Sequence, residues 1–267
     1  MAVRNLDPVM LGAVVRDIDG WRERMISTPA EVHVGSELYG DDESTGFLQI
    51  SHAVQNSLNA ATDHLHCLRT LIVDAEWLHT NAPFTLARAA LECAATAVWL
   101  LAPADPRERI TRRLQLANAD RYDWKSVIEA VGGDVSGLKA VGDEIRRIAG
   151  EQLITSSVKG EHAKFERIVT GAGVHLGDGP RYRRIWKGAS GYAHGRMWAT
   201  VQLSDVLVLS QPAIDVRQIQ VTVNPDRFMS ALGHAHLMTR EAWKLYDVRR
   251  EPPLAPVARL LGCRGSS

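Results

Sequence analysis

The chain has 267 residues, 45% hydrophobic and 23% charged, with 31 Lys plus Arg against 31 Asp plus Glu. That balance is the one of a globular rather than a disordered or membrane chain, and zero net charge excludes attraction to nucleic acid or anionic lipid by overall charge, so such binding must come from a local patch. The length suits one hydrophobic core, which predicts a single helical domain over 1–250 and an irregular, mobile tail over 251–267, where Pro252, Pro253 and Pro256 precede a Gly-Ser end.

The first 21 residues carry only a short apolar run before Arg16 and Asp17, so neither a signal peptide nor a membrane span fits there. Cys67, Cys93 and Cys263 are far apart and odd in number, which fits free thiols in a reducing compartment. Cytoplasmic residence without membrane attachment is therefore expected. A helix is predicted over 8–26, and the acidic stretch SELYGDDES at 36–44 reads as a surface loop. From Phe47 to about His79, Val54, Leu58, Ala61, Leu65, Leu68 and Ile72 recur at steps of four and three, predicting one long amphipathic core helix.

Asn81 as cap and Pro83 in the first turn open a second helix that runs to Leu101 and is Ala-rich around most of its circumference. Neighbours can approach such a helix closely, which places it at the centre of a bundle. Pro103 and Pro106 break it, and a third helix follows from Arg107 to Val131, ended by Gly132 and Gly133. Further helices are predicted at 136–153, 161–171, 180–199 and 225–247, with Gly-Ala-Gly at 171–173 as an interhelix loop. Between the last two helices, SDVLVLS and IDVRQIQVTV alternate and are separated by Gln211 and Pro212, which predicts a β-hairpin near 204–223 with an edge free for pairing. The expected fold class is all-α, a multi-helix bundle with a small β-hairpin insertion.

Three constellations carry possible chemistry. Arg88 and Glu92 are spaced i, i+4 and share a face of the Ala-rich helix; burying two charges costs several kcal/mol per ion, so the pair serves either to lock a neighbouring helix or to hold a ligand. On the helix RYRRIWKGASGYAHGRMW, Tyr182, Trp186, Ala189, Ala193 and Met197 form an apolar stripe, with Arg183, Lys187, Ser190, His194 and Trp198 alongside. Five Lys or Arg and no acid lie between Arg181 and Arg196, a local basic surface suited to phosphates. His194 is the acid–base candidate, since an imidazole exchanges protons near neutral pH. The plainer account has Ser190 bonding a carbonyl one turn back and His194 capping the helix before Gly195.

Third, Glu76 and His79 have the E-x-x-H spacing of helical di-metal sites and continue the core-facing stripe from Ile72, although no second copy exists. Asp63 with His66 lies on the Asn59, Thr62, Arg69 face and reads as a solvated or helix-contacting surface, while His234 and His236, spaced i, i+2, point in different directions. No P-loop, dinucleotide fingerprint, nucleophile elbow or H-E-x-x-H occurs.

The order DHLHCLRTLI, TLARAALECAATAVWLL, RRIWKGASGYAHG resembles uncharacterised bacterial, actinobacterial-type helical families related to HEPN domains, over roughly residues 50–200, chiefly through Arg88-x-x-x-Glu92 and Ser190-x-x-x-His194-Gly195. The resemblance implies a helical bundle, a role in defence or stress response, and in its ribonuclease members metal-independent RNA cleavage by an Arg and a following His across a dimer. At the family's spacing from His194 this chain has Lys187, Gly188 and Ala189, so Lys187 stands where the Arg is expected. The leading expectation is an RNA-binding protein or metal-independent ribonuclease without cofactor. His194, Ser190, Arg88 and Glu92 would form its active pocket, and Lys187, Arg183, Arg184, Tyr182 and Trp186 would bind RNA or another phosphate-bearing ligand, in a homodimer. The alternatives are a non-catalytic ligand-binding or interaction module, and a metal-dependent oxygenase on Glu76 and His79.

Overall fold

Residues 6–27 and 31–253 are described in a computed structural model of the protein; the predicted tail beyond 253 lies outside the described residues. Ten α-helices follow in order: α1 (Pro8–Ser27), α2 (Glu37–Thr45), α3 (Ile50–Arg69), α4 (Ala82–Leu101), α5 (Pro106–Ala130), α6 (Ser136–Glu151), α7 (Phe165–His175), α8 (Gly179–Ala193), α9 (Met197–Leu203) and α10 (Pro225–Arg250). Between α9 and α10 lies an antiparallel hairpin of β1 (Asp205–Ala213) and β2 (Val216–Thr222). The molecule is thus an all-α bundle with one small hairpin.

Helix α4 is the centre. From Ala94 to Leu101 every residue is buried, and α3, α10, α7 and α8 pack around it. Its alanines permit this, because a methyl group lets a neighbouring backbone come close on every side. Among the described residues α4 is the one helix long and apolar enough to cross a bilayer, and 72% of that stretch is buried inside the fold. Asn81 stands at its N-cap position, but the carbonyl rather than the side chain accepts, from the N–H groups of Phe84 and Thr85.

The acidic 36–44 stretch is helix α2 rather than a surface loop. Ser36 caps it through its side chain, and Leu38, Asp41, Asp42 and Thr45 are buried. The acids are drawn inward by partners that are remote in sequence. Asp41 receives Arg109 from α5, Nε to Oδ2 at 2.5 Å and Nη2 to Oδ1 at 3.0 Å, and Asp42 accepts the N–H of Ser51 at 3.0 Å. Among the described residues Arg109 is the largest fully buried side chain, and its Nη1 also donates to the carbonyls of Pro103 and Ala104 at 2.9 Å.

The long helix expected over 47–79 is shorter. It ends at Arg69, passes through a π-helical turn at Thr70–Asp74, and leaves the helical path at Glu76, whose φ of 49° lies in the left-handed region. Arg69 bonds Asp74 and Asp19, which holds the chain in this exit. Helix α7 extends through Gly171–Gly173, where a loop was expected; a Cβ on Gly173 would stand 2.8 Å from Tyr182 Cβ, so the glycine lets α7 and α8 touch. The predicted 180–199 helix is two helices, and their junction shapes the site.

Candidate functional site

Asp178 caps α8 by accepting the Arg181 N–H at 2.9 Å, with Pro180 in the first turn. At the other end the chain closes with a Schellman arrangement. His194 is the C-cap, Gly195 follows at φ 59°, the Gly195 N–H donates to Tyr192 at 3.0 Å, and the Arg196 N–H donates to Gly191 at 2.8 Å. Glycine after the cap takes a left-handed conformation at no Cβ cost, so the sequence His-Gly reads as a helix stop rather than a helix interior. Helix α9 then folds back over α8. Gly191 admits it: a Cβ there would lie 2.6 Å from Ala199 Cβ and 2.7 Å from the Trp198 ring.

The fold-back builds a small cleft of about 250 Å³ between Trp186 and Trp198, bordered by Ser190, His194, Lys187 and Arg196. Ser190, His194 and Lys187 therefore come together as the helical spacing predicts, with His194 exposed at the helix end rather than along its face. Met197, placed in the apolar stripe by periodicity, is 73% exposed, because the break at Gly195 rotates it out of register. Glu166 from α7 also borders the cleft. It accepts from Arg183 Nε at 2.6 Å and lies 3.5 Å from Lys187 Nζ, and Arg183 holds its carboxyl below the usual carboxylate range.

Arg88 and Glu92 stand one layer deeper and do not border the cleft. Glu92 Oε1 accepts from Arg88 Nη2 at 2.8 Å and from Trp186 Nε1 at 2.5 Å, while the Arg88 guanidinium lies 5.9 Å from the centre of the Trp186 ring. The indole thus ties α4 to α8 at the buried Glu92, with the Arg88 side chain 22% exposed. Burial pushes the Glu92 carboxyl up, against the Trp186 bond, Arg88 and the more distant charge of His194. Arg88 Nε is buried without a hydrogen-bond partner.

Tyr182, expected to bind substrate, belongs to the core: it is buried and meets His234 edge-on at 5.1 Å. Arg183 is engaged by Glu166, whereas Arg184 makes no ion pair among the described residues. Arg184 lies on a second, larger cavity of about 510 Å³, which Arg183 of the same helix and Arg227 of α10 also border and which shares Lys187 and Trp198 with the His194 cleft. Sequence periodicity missed Arg227 and Glu166, since both come from other helices and no spacing rule links them to α8.

Glu76 and His79 do not form a helical pair. Both are exposed beyond the end of α3, so the i, i+3 relation on which a metal reading rests is lost, and the inward direction expected for them is wrong. Among the described residues no group of three His, Cys, Asp or Glu side chains is placed to hold a metal ion. Compared with known protein families, curated proteins and solved structures, the chain matches none.

Proposed function

We propose that the protein binds RNA through phosphates along the exposed flank of α8, with His194 as the acid–base group of a metal-independent cleavage. The observation that carries this is the cleft in which an exposed imidazole, the cations Lys187 and Arg196, and the indoles of Trp186 and Trp198 meet. Unstacked RNA bases dock on aromatic faces while cations take the phosphates, so single-stranded RNA matches both features. The likeness of the α4 and α8 sequences to HEPN-related families, and the defence or stress role it implies, points the same way. In the reaction neutral His194 takes the 2′-hydroxyl proton as the 2′-oxygen bonds phosphorus; the bond to the 5′-oxygen breaks, and that oxygen takes a proton from water. Lys187 and Arg196 offset the phosphoryl charge. Lysine does so as a point charge without the arginine fork, which predicts slow turnover.

A second reading, a helical module that binds without cleaving, is favoured by the Glu92 site, where both donors to Oε1 come from inside the bundle and the pair serves architecture. One experiment separates the two. Single-stranded RNA is titrated by anisotropy at several salt concentrations and run on a denaturing gel in EDTA. We expect binding that weakens with salt, falls about tenfold in Lys187→Ala/Arg196→Ala, and cleavage that vanishes in His194→Ala with binding kept. Binding without cleavage leaves the module reading; absence of binding removes the RNA reading altogether.

A further inference from the structure

The larger cavity adjoins the His194 cleft, sharing Lys187 and Trp198 with it, but differs from it in lining. Its floor is apolar and aromatic: Phe84 of α4 and Tyr192 of α8 are both buried and stack at 3.9 Å between ring centres, 9° from parallel. Its lining carries Arg181, Arg183, Arg184 and Lys187 from α8 and Arg227 from α10, and no carboxylate. Of these, Arg181, Arg184 and Arg227 have no ion-pair partner among the described residues, whereas Glu166 engages Arg183 and Lys187. A volume of about 510 Å³ falls in the range of sites that bury a small ligand.

We infer that this cavity binds a nucleoside 5′-phosphate, the phosphate on Arg181, Arg184 and Arg227 and the flat base over the aromatic floor. Arginine forks pair with phosphate oxygens in two parallel hydrogen bonds, and guanidiniums without a protein partner keep all their donors for that purpose. An aromatic floor suits a planar ring better than an alkyl chain. The same chemistry has two sources, a free mononucleotide or the 5′-phosphorylated end of an RNA strand. Only the second rests on the RNA reading proposed above.

The test is calorimetric titration of the full chain with adenosine 5′-monophosphate, adenosine, inorganic phosphate and dodecyl phosphate, and with an RNA oligonucleotide carrying a 5′-phosphate or a 5′-hydroxyl. We expect adenosine 5′-monophosphate to bind at least tenfold more tightly than adenosine or phosphate alone. Arg227→Glu, on an exposed residue, is expected to lose that binding with an unchanged melting temperature, while His194→Ala keeps it. A preference for the 5′-phosphorylated over the 5′-hydroxyl strand, without binding of the mononucleotide, assigns the cavity to strand ends. Failure of both nucleotide and strand preference, tighter binding of dodecyl phosphate, or indifference to Arg227→Glu overturns the inference. The RNA cleavage assay is unaffected by any of these outcomes and stands or falls separately.

Discussion

Arg109 and Glu92 show what a single buried charge does in this bundle. Arg109 is 1% exposed and spends its donors on Asp41 and on two carbonyls at the start of α5, so α2, the α4–α5 turn and α5 meet at one guanidinium. Burial pushes the Asp41 carboxyl up, and Arg109 and then Arg249 oppose this. Arg109→Ala is therefore expected to cost about 3 to 5 kcal/mol, measured by urea unfolding, because the Asp41 carboxylate is left buried without its partner. Neither half of this pair was legible in the sequence. Asp41 sits in an acidic run that looks solvated, and Arg109 is one of several arginines in a polar helix. Only their meeting across 68 positions gives either a role.

At the scale of elements, the α8–α9 junction decides the site. The sequence shows Ser190 and His194 one turn apart, and that relation holds; it does not show that α9 turns back, because the turn needs both the left-handed Gly195 and the missing side chain at Gly191. Gly191→Ala places a methyl group within 2.6 Å of Ala199 and against the Trp198 ring, so α9 must move away. We expect a loss of about 1 to 3 kcal/mol in stability from this overpacking, a red shift of tryptophan fluorescence as Trp198 gains water, and weaker RNA binding. Unchanged fluorescence and binding would show that the α9 fold-back does not form the cleft. The mirror case is α3, where a periodicity of fours and threes to Ile72 invites extension to His79. The turn at Thr70–Asp74 and the Arg69 ion pairs end the helix instead, and the Glu76 and His79 spacing loses its meaning.

For the whole molecule, pH reports how α10 is seated. His234 donates from Nδ1 to the Ser230 carbonyl at 2.7 Å, and His236 donates from Nε2 to Asp17 of α1 at 2.7 Å; burial lowers both below the ordinary imidazole value of 6.5, in His236 against the pull of Asp17. The fold therefore disfavours protonation of both, and the unfolded chain binds protons first as pH falls. Their share of stability is present above 6.5 and is lost below it, by up to about 1.4 kcal/mol per pH unit for each. Glu92, Asp41 and Asp120, pushed up by burial, act with the opposite sign, since the fold holds their protons more tightly. The measurement is thus a difference: between about pH 7.5 and 5.5 the wild type should lose more stability than His234→Gln/His236→Gln. Parallel curves would mean that neither histidine titrates with unfolding.

The sequence by itself determined the helical class, the central place of α4, the hairpin near 204–223 and the grouping of Ser190, His194 and Lys187. Each rests on local spacing, whether 3.6-residue periodicity, alternation or a cap, and local spacing survives folding. The tertiary structure decided which charges go inside, where α3 and α8 stop, and that Arg88 and Glu92 lie behind Trp186 while Arg181, Arg184 and Arg227 share a cavity. Those outcomes depend on which helices meet, a competition between burial, ion pairing and close packing among residues far apart in the chain, and no window along the sequence contains both partners.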